Sequence, residues 1–163
     1  MTNYETVTVE TDLLILGGGM AACGAAVEAS YWAKKNGIKI TLVDKAAMDR
    51  SGAVGMGLSA INQYVGIHEG KNTVPDYVQY VRNDLMGIAR DDLVANIARH
   101  VDGTVHMFEK WGLPLWKDEK GEYVHEGRWQ LMISGESYKP IVAEAAKTAL
   151  GKDRKSTRLN SSH

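Results

Sequence analysis

Residues 13–26, LLILGGGMAACGAA, restrict the possible folds of this chain more than any other segment. The apolar run Thr11–Leu16 reads as a buried strand. Gly17, Gly18 and Gly19 break it, and Met20–Asn36 reads as a helix. Ala21, Ala25, Ala29 and Ala33 recur every four residues, and Ala22, Ala26 and Ser30 form a second small row. A face that small can lie close to a sheet. Gly37 supplies a helix C-terminal glycine. Ile38–Val43, IKITLV, reads as a second strand rich in β-branched residues. Strand, glycine turn, helix and strand make one βαβ unit, and the handedness of such crossovers makes the two strands parallel. The fold class is α/β, the N-terminal part of a Rossmann-like domain.

The glycines follow the pattern Gly17-x-Gly19-x-x-Ala22. Gly17 permits a tight turn out of the strand. Gly19 lets backbone approach a pyrophosphate, and Ala22 keeps the helix close to the strand. The first helical residues, Met20, Ala21 and Ala22, bring unpaired amides and the positive end of the helix dipole to the phosphates. The second strand ends at Asp44, where an adenosine ribose needs a hydroxyl acceptor. Together these features predict a dinucleotide site. The fingerprint is common to nicotinamide and flavin dinucleotides, so the glycines leave that choice open.

Beyond Asp44 no strong period appears until residue 70. The stretch DRSGAVGMGLSAINQYVG is Gly-rich and too apolar for a solvent loop, so it reads as backbone laid along a ligand. Pro75 opens a helix capped by Thr73 or Val74, with Tyr77, Val78, Val81 and Leu85 on its buried face and Gly87 closing it. Asp91 or Asp92 caps a longer helix with an apolar stripe of Leu93, Val94, Ile97, Val101, Val105 and Phe108. Gly112 and Pro114 stop it. WKDEKGEYVHEGRWQ reads as a hairpin turning at Lys120-Gly121, and Pro140–Leu150 reads as a last helix.

A formal net charge of -1 gives no argument for nucleic acid or an anionic membrane. Cys23 is the single cysteine, which excludes an internal disulfide and a cysteine metal cluster, and it reads as a small core residue. His68, His100, His106 and His125 lack metal-ligand spacing, so no metal site is expected. Trp111, Trp116 and Trp129 read as core or interface aromatics, and Arg82, Asn83 and Arg90 as exposed helix polar groups. The N-terminus has no signal-peptide pattern and no run approaches a membrane span, so the expected location is cytoplasmic. DRKSTRLNSSH is basic, Ser-rich and aperiodic; residues 153–163 are expected to be a non-native, adapter-derived tail on a fragment of a longer chain.

The segment DKAAMDRSGAVGMGLSAINQY resembles the flavin-covering loop of the fumarate reductase and succinate dehydrogenase flavoprotein superfamily. The resemblance implies FAD, with Lys45, Arg50, Ser51, Gly52 and Gly57 as its neighbours. Covalently flavinylated members carry a histidine in this loop. RSGAVGMG has none, which implies non-covalent FAD. Ser59 and Asn62 are placed near the flavin ring. Asn62 either hydrogen-bonds near N5 as the one catalytic candidate or caps the loop.

With GGGMAACGAAVEA and DYVQYVRNDLMGIARDDLV, the likeness narrows to the alpha-subunit family of dissimilatory adenylyl-sulfate reductases, over residues 12 to about 152. That resemblance implies reduction of adenylyl sulfate to sulfite and AMP, or the reverse, through a flavin N5–sulfite adduct. It also implies a partner, a beta subunit carrying two [4Fe–4S] clusters. Residues 1–70 then hold the first βαβ unit and the flavin-covering loop of an FAD-binding domain, and 71–152 begin a mainly helical excursion with a hairpin. Two parallel strands do not bury a sheet by themselves, so this piece alone is expected to bind FAD weakly or not at all and to lack activity. A fumarate reductase or aspartate oxidase type of flavoprotein and a non-catalytic truncated product stay open.

Overall fold

A computed structural model of the chain describes residues 6–62, 65–66 and 72–151. β1 (Leu13–Leu16) and β2 (Ile40–Val43) pair in parallel, with Leu13 opposite Ile40 and Leu16 opposite Val43. α1 (Met20–Asn36) joins them. It ends where Gly37 adopts φ 66°, ψ 26°, a left-handed conformation that side chains resist.

Both strands start two residues later than the pattern predicts. The amide of Ile38 bonds to the Ala33 carbonyl at 3.1 Å, as part of the helix cap. That of Lys39 bonds to Asp12 Oδ2 at 2.8 Å. Asp12 and Leu13 both donate to Lys39 O, and Thr11 Oγ1 does so at 2.9 Å. Capping and turn bonds thus occupy the groups that a longer ladder would need.

The buried stripe of α1 is Cys23, Ala26, Ser30 and Ala33. Its steps of three and four follow the helical period, whereas the every-fourth-residue alanine row drifts off the face and leaves Ala21 and Ala25 exposed. Ser30 Oγ stays satisfied by donating to Ala26 O at 2.6 Å.

A short 3-10 turn spans Ala53–Met56, and β3 (Ala60–Asn62) follows. α2 (Val74–Asp84) and α3 (Asp91–Lys110) pack together. β4 (His125–Glu126) and β5 (Gln130–Met132) join β3 in an antiparallel sheet of order β3-β5-β4. α4 (Tyr138–Leu150) then packs along α1. Thr73 and Asp76 cap α2 reciprocally, the first of the two residues expected there.

Expectations for the helices and the hairpin also need correction. The N-cap of α3 is Arg90, because Asp91 is paired with Arg82 of α2 and Asp92 with Arg90 itself. Both acids lie in the first turn, where they still complement the helix dipole. Leu85, Leu93 and Ile97 are exposed; Tyr77, Ala98, Val105 and Phe108 carry the buried faces. The segment 116–130 is no single hairpin. Lys117 bridges Tyr123 across the turn at Gly121, and β4 then pairs with β5.

The main core lies between α1, α3, α4 and the first sheet. Cys23, Ala26, Phe108, Leu113, Ile133, Tyr138, Val142 and Ala146 form it, with Ile15 and Leu42 reaching in from the strands. β1, expected to be buried, is not: Leu14 and Leu16 are 51% and 75% exposed. Helices cover one face of the two-stranded sheet among the described residues, and the other carries bare Leu and Val. Tyr77, Ala98 and Trp129 make a separate cluster between α2, α3 and the strand region.

Candidate functional site

Gly17 directly follows β1, its φ of +102° turns the chain sharply, and its amide bonds to Val43 O at 2.7 Å. Gly19 is the N-cap of α1 and offers no side chain to the first-turn amides. Those amides, of Met20, Ala21 and Ala22, therefore remain available to an anion.

Asp44 directly follows β2. A Cβ built on Gly18 would overlap Asp44 Oδ2 and lie 2.9 Å from Asp44 Cγ. The fingerprint treats position 18 as free, yet a side chain there would have to displace the Asp44 carboxylate. Asp44 Oδ2 is buried and finds no hydrogen-bond partner among the described residues. An orphaned buried carboxylate oxygen is costly, and a ligand hydroxyl donor removes that cost.

The loop after Asp44 returns over the glycine turn. A Cβ on Gly52 would come within 3.0 Å of Gly19 Cα, so the two backbones form a narrow cradle without side chains. Ser51 sits beside it half-buried, and Lys45 and Arg50 are exposed. These observations fit the adenosine and diphosphate of a dinucleotide: an acceptor for a ribose hydroxyl, free helical amides, and backbone that approaches without obstruction.

The remaining predicted residues lie further along the loop. Gly57 packs near the Gly135 carbonyl, and the Ser59 carbonyl accepts from the Ile133 amide at 3.0 Å. Asn62 pairs with Gln130 in the second sheet and lines a groove of about 630 Å³ with Tyr80, Asn83, Arg128 and Trp129. The structure thus brings residues 17–22, Asp44 and Gly52 together and sets Asn62 on another sheet.

The groove is held by polar contacts. Arg128 Nε donates to Asn72 Oδ1 at 2.6 Å, its guanidinium stacks 4.9 Å from the Trp129 ring, and it reaches Asp76 Oδ2 at 3.5 Å. Trp129 is core, edge-on to Tyr77 at 5.1 Å, while Trp116 is 49% exposed. Arg82 and Arg90 are engaged in surface ion pairs, and Gln79 donates to Asn83 Oδ1 at 2.7 Å. Among the described residues no cluster of His, Cys, Asp or Glu is arranged to hold a metal ion. His68 and the tail 153–163 lie outside the described residues.

Sequence reasoning missed Lys139, which is buried beside Cys23. Lys139, Val142, Ala143 and Ala146 share one face of α4, and that period was the available signal.

Residues 12–150 match the FAD binding domain family. The chain belongs to this family. Among curated relatives of this FAD binding domain, it is 53% identical to "Adenylylsulfate reductase subunit alpha" of Megalodesulfovibrio gigas over 92% of its own length, and spans 26% of that protein. Its fold superposes on adenylylsulfate reductase from Archaeoglobus fulgidus with a TM-score of 0.82 at 66% identity, covering 88% of this chain and 23% of that one. A structure titled adenosine-5-phosphosulfate reductase in complex with sulfite, as a covalent adduct, matches with the same figures. A quinol fumarate reductase from E. coli matches at 19% identity and TM-score 0.65 over 85% of this chain and 24% of that one, a likeness of fold alone. The fold is therefore the one shared with fumarate reductase flavoproteins, as the sequence leads one to expect. No described helix is long and apolar enough to cross a membrane.

Proposed function

We propose that this chain carries the FAD of an adenylyl-sulfate reductase, which converts adenylyl sulfate to sulfite and AMP or runs in reverse. The observation that carries the FAD reading is Asp44 Oδ2, buried, unpartnered and set against the glycine turn. The choice of substrate rests on the 53% identity to a protein named as the alpha subunit of that enzyme and on the neighbour that holds sulfite.

In this reading Asp44 accepts a hydrogen bond from the adenosine ribose. The amides of Met20, Ala21 and Ala22 face the diphosphate, with Gly17, Gly19 and Gly52 leaving it room. Lys45, Arg50 and Ser51 flank it. Gly57 and Ser59 carry the chain beside the ring system, and the Asn62 carboxamide hydrogen-bonds at its reactive edge. When bound and reduced, FAD would supply the electron pair that stays with sulfur as sulfite when the S–O bond to AMP breaks, and would itself be left oxidised. The residues of this chain bind and orient it. No histidine stands in RSGAVGMG, which supports non-covalent attachment. A partner subunit bearing two [4Fe–4S] clusters delivers electrons, and the assembly works in the cytoplasm.

The test is the full-length protein, co-expressed with its iron–sulfur partner, assayed with reduced donor. Adenylyl sulfate consumed with equal AMP and sulfite formed supports the reading. Succinate from fumarate, with adenylyl sulfate untouched, moves the protein to the other branch of the fold.

A further inference from the structure

Lys139 heads the largest fully buried side chains among the described residues, at 1% exposure. An ammonium withdrawn from water needs groups that replace its hydration. Lys139 Nζ donates to the Met48 carbonyl and lies 3.7 Å from Cys23 Sγ. Among the described residues it makes no ion pair with a carboxylate.

Both partners lead to the glycine turn and its covering loop. Cys23 Sγ donates to the Gly18 carbonyl at 3.4 Å, and the Cys23 amide bonds to Gly19 O at 2.9 Å. Burial pushes the Cys23 thiol up, with Lys139 pulling the other way, so the S–H remains to make that bond. Met48 stands midway between Asp44 and Gly52, the two loop residues that touch the turn.

We propose that Lys139 is a positioning residue for the ADP half of the cofactor. From α4 it ties the glycine turn and the loop 44–52 into one cradle. Its buried positive charge, which forms no ion pair among the described residues, favours the doubly anionic diphosphate. The assignment rests on the FAD reading above.

The test uses the full-length protein stripped of flavin, titrated with FAD and, separately, with ADP-ribose, which shares only the ADP half. Lys139→Met keeps the length of the chain and removes charge and donor. It is expected to weaken both ligands by the same factor, roughly 10-fold or more, the loss of a hydrogen bond to a charged group. The melting temperature of the ligand-free variant holds or rises, because a buried ammonium has been replaced by an apolar group. A merely structural lysine gives the opposite pattern, a lower melting temperature with unchanged affinities, and that result overturns the proposal.

If Lys139→Met does not fold, Cys23→Ala decides. It breaks the link to Gly18 and is expected to weaken both ligands several-fold, and unchanged binding overturns the assignment. Wild-type protein that binds neither ligand overturns the FAD reading and this assignment with it. Wild-type binding with unaffected variants overturns the assignment alone.

Discussion

Gly18 and Asp44 touch across the junction of the two parallel strands so closely that a Cβ on Gly18 would lie 2.9 Å from the Asp44 Cγ. The glycine turn and the Asp44 carboxylate are therefore one unit. Gly18→Ala is expected to displace the Asp44 carboxylate and lower the FAD content of the purified full-length protein. The flavin absorbance per protein measures this. Full FAD content in the variant would mean that Asp44 is free to move without consequence.

Asp44→Ala separates binding from stability. In the ligand-free protein Asp44 Oδ2 makes no hydrogen bond among the described residues, so its removal is expected to leave the melting temperature unchanged or higher. FAD affinity is expected to fall by roughly 10- to 100-fold, the value of a hydrogen bond to a charged acceptor. Calorimetric titration and thermal melts of one preparation give both numbers. A drop in stability with intact affinity would assign Asp44 a purely structural role.

Gly135 backs the loop that follows Asp44. A Cβ there would overlap the Leu58 carbonyl and lie 2.6 Å from the Leu58 amide nitrogen, and backbone cannot rotate away as a side chain can. Gly135→Ala is expected to cost about 1–3 kcal/mol, as overpacking does, and to shift residues 57–59. Chemical denaturation measures the cost. A variant as stable as the parent contradicts this packing.

The pH dependence of α2 follows from its capping box. Thr73 Oγ1 donates to Asp76 Oδ2 at 2.6 Å, and this bond, with the Thr73 amide and Arg128, holds the Asp76 carboxyl below its usual range. A depressed carboxylate pKa stabilises the fold fully above the unfolded value of about 3.9. That contribution is lost as pH falls through the lower folded value. Thermal melts in acid are expected to show a smaller decline for Asp76→Asn than for the parent, and parallel curves would contradict the assignment.

The βαβ unit was legible because its signals are local. Apolar runs, a glycine break and Gly37 fix β1, α1 and β2 to within two residues. The capping box of α2 was legible for the same reason. What escaped reading depends on partners distant in sequence. β3 is three residues whose pairing is set by β5, about 70 positions later. Leu93 and Ile97 fit an apolar stripe, yet the packing of α2 on α3 buries Ala98 instead. The contacts of Gly18 with Asp44 and of Lys139 with Cys23 span 26 and 116 residues; the period of α4 marks Lys139 as buried but does not report what it meets.

A crystal structure of the full-length protein with FAD tests the central claim most directly. Asp44 Oδ2 is expected within hydrogen-bonding distance of a ribose hydroxyl, and the diphosphate over the amides of Met20–Ala22. Adenosine seated elsewhere, with Asp44 still unpartnered against Gly18, would contradict it.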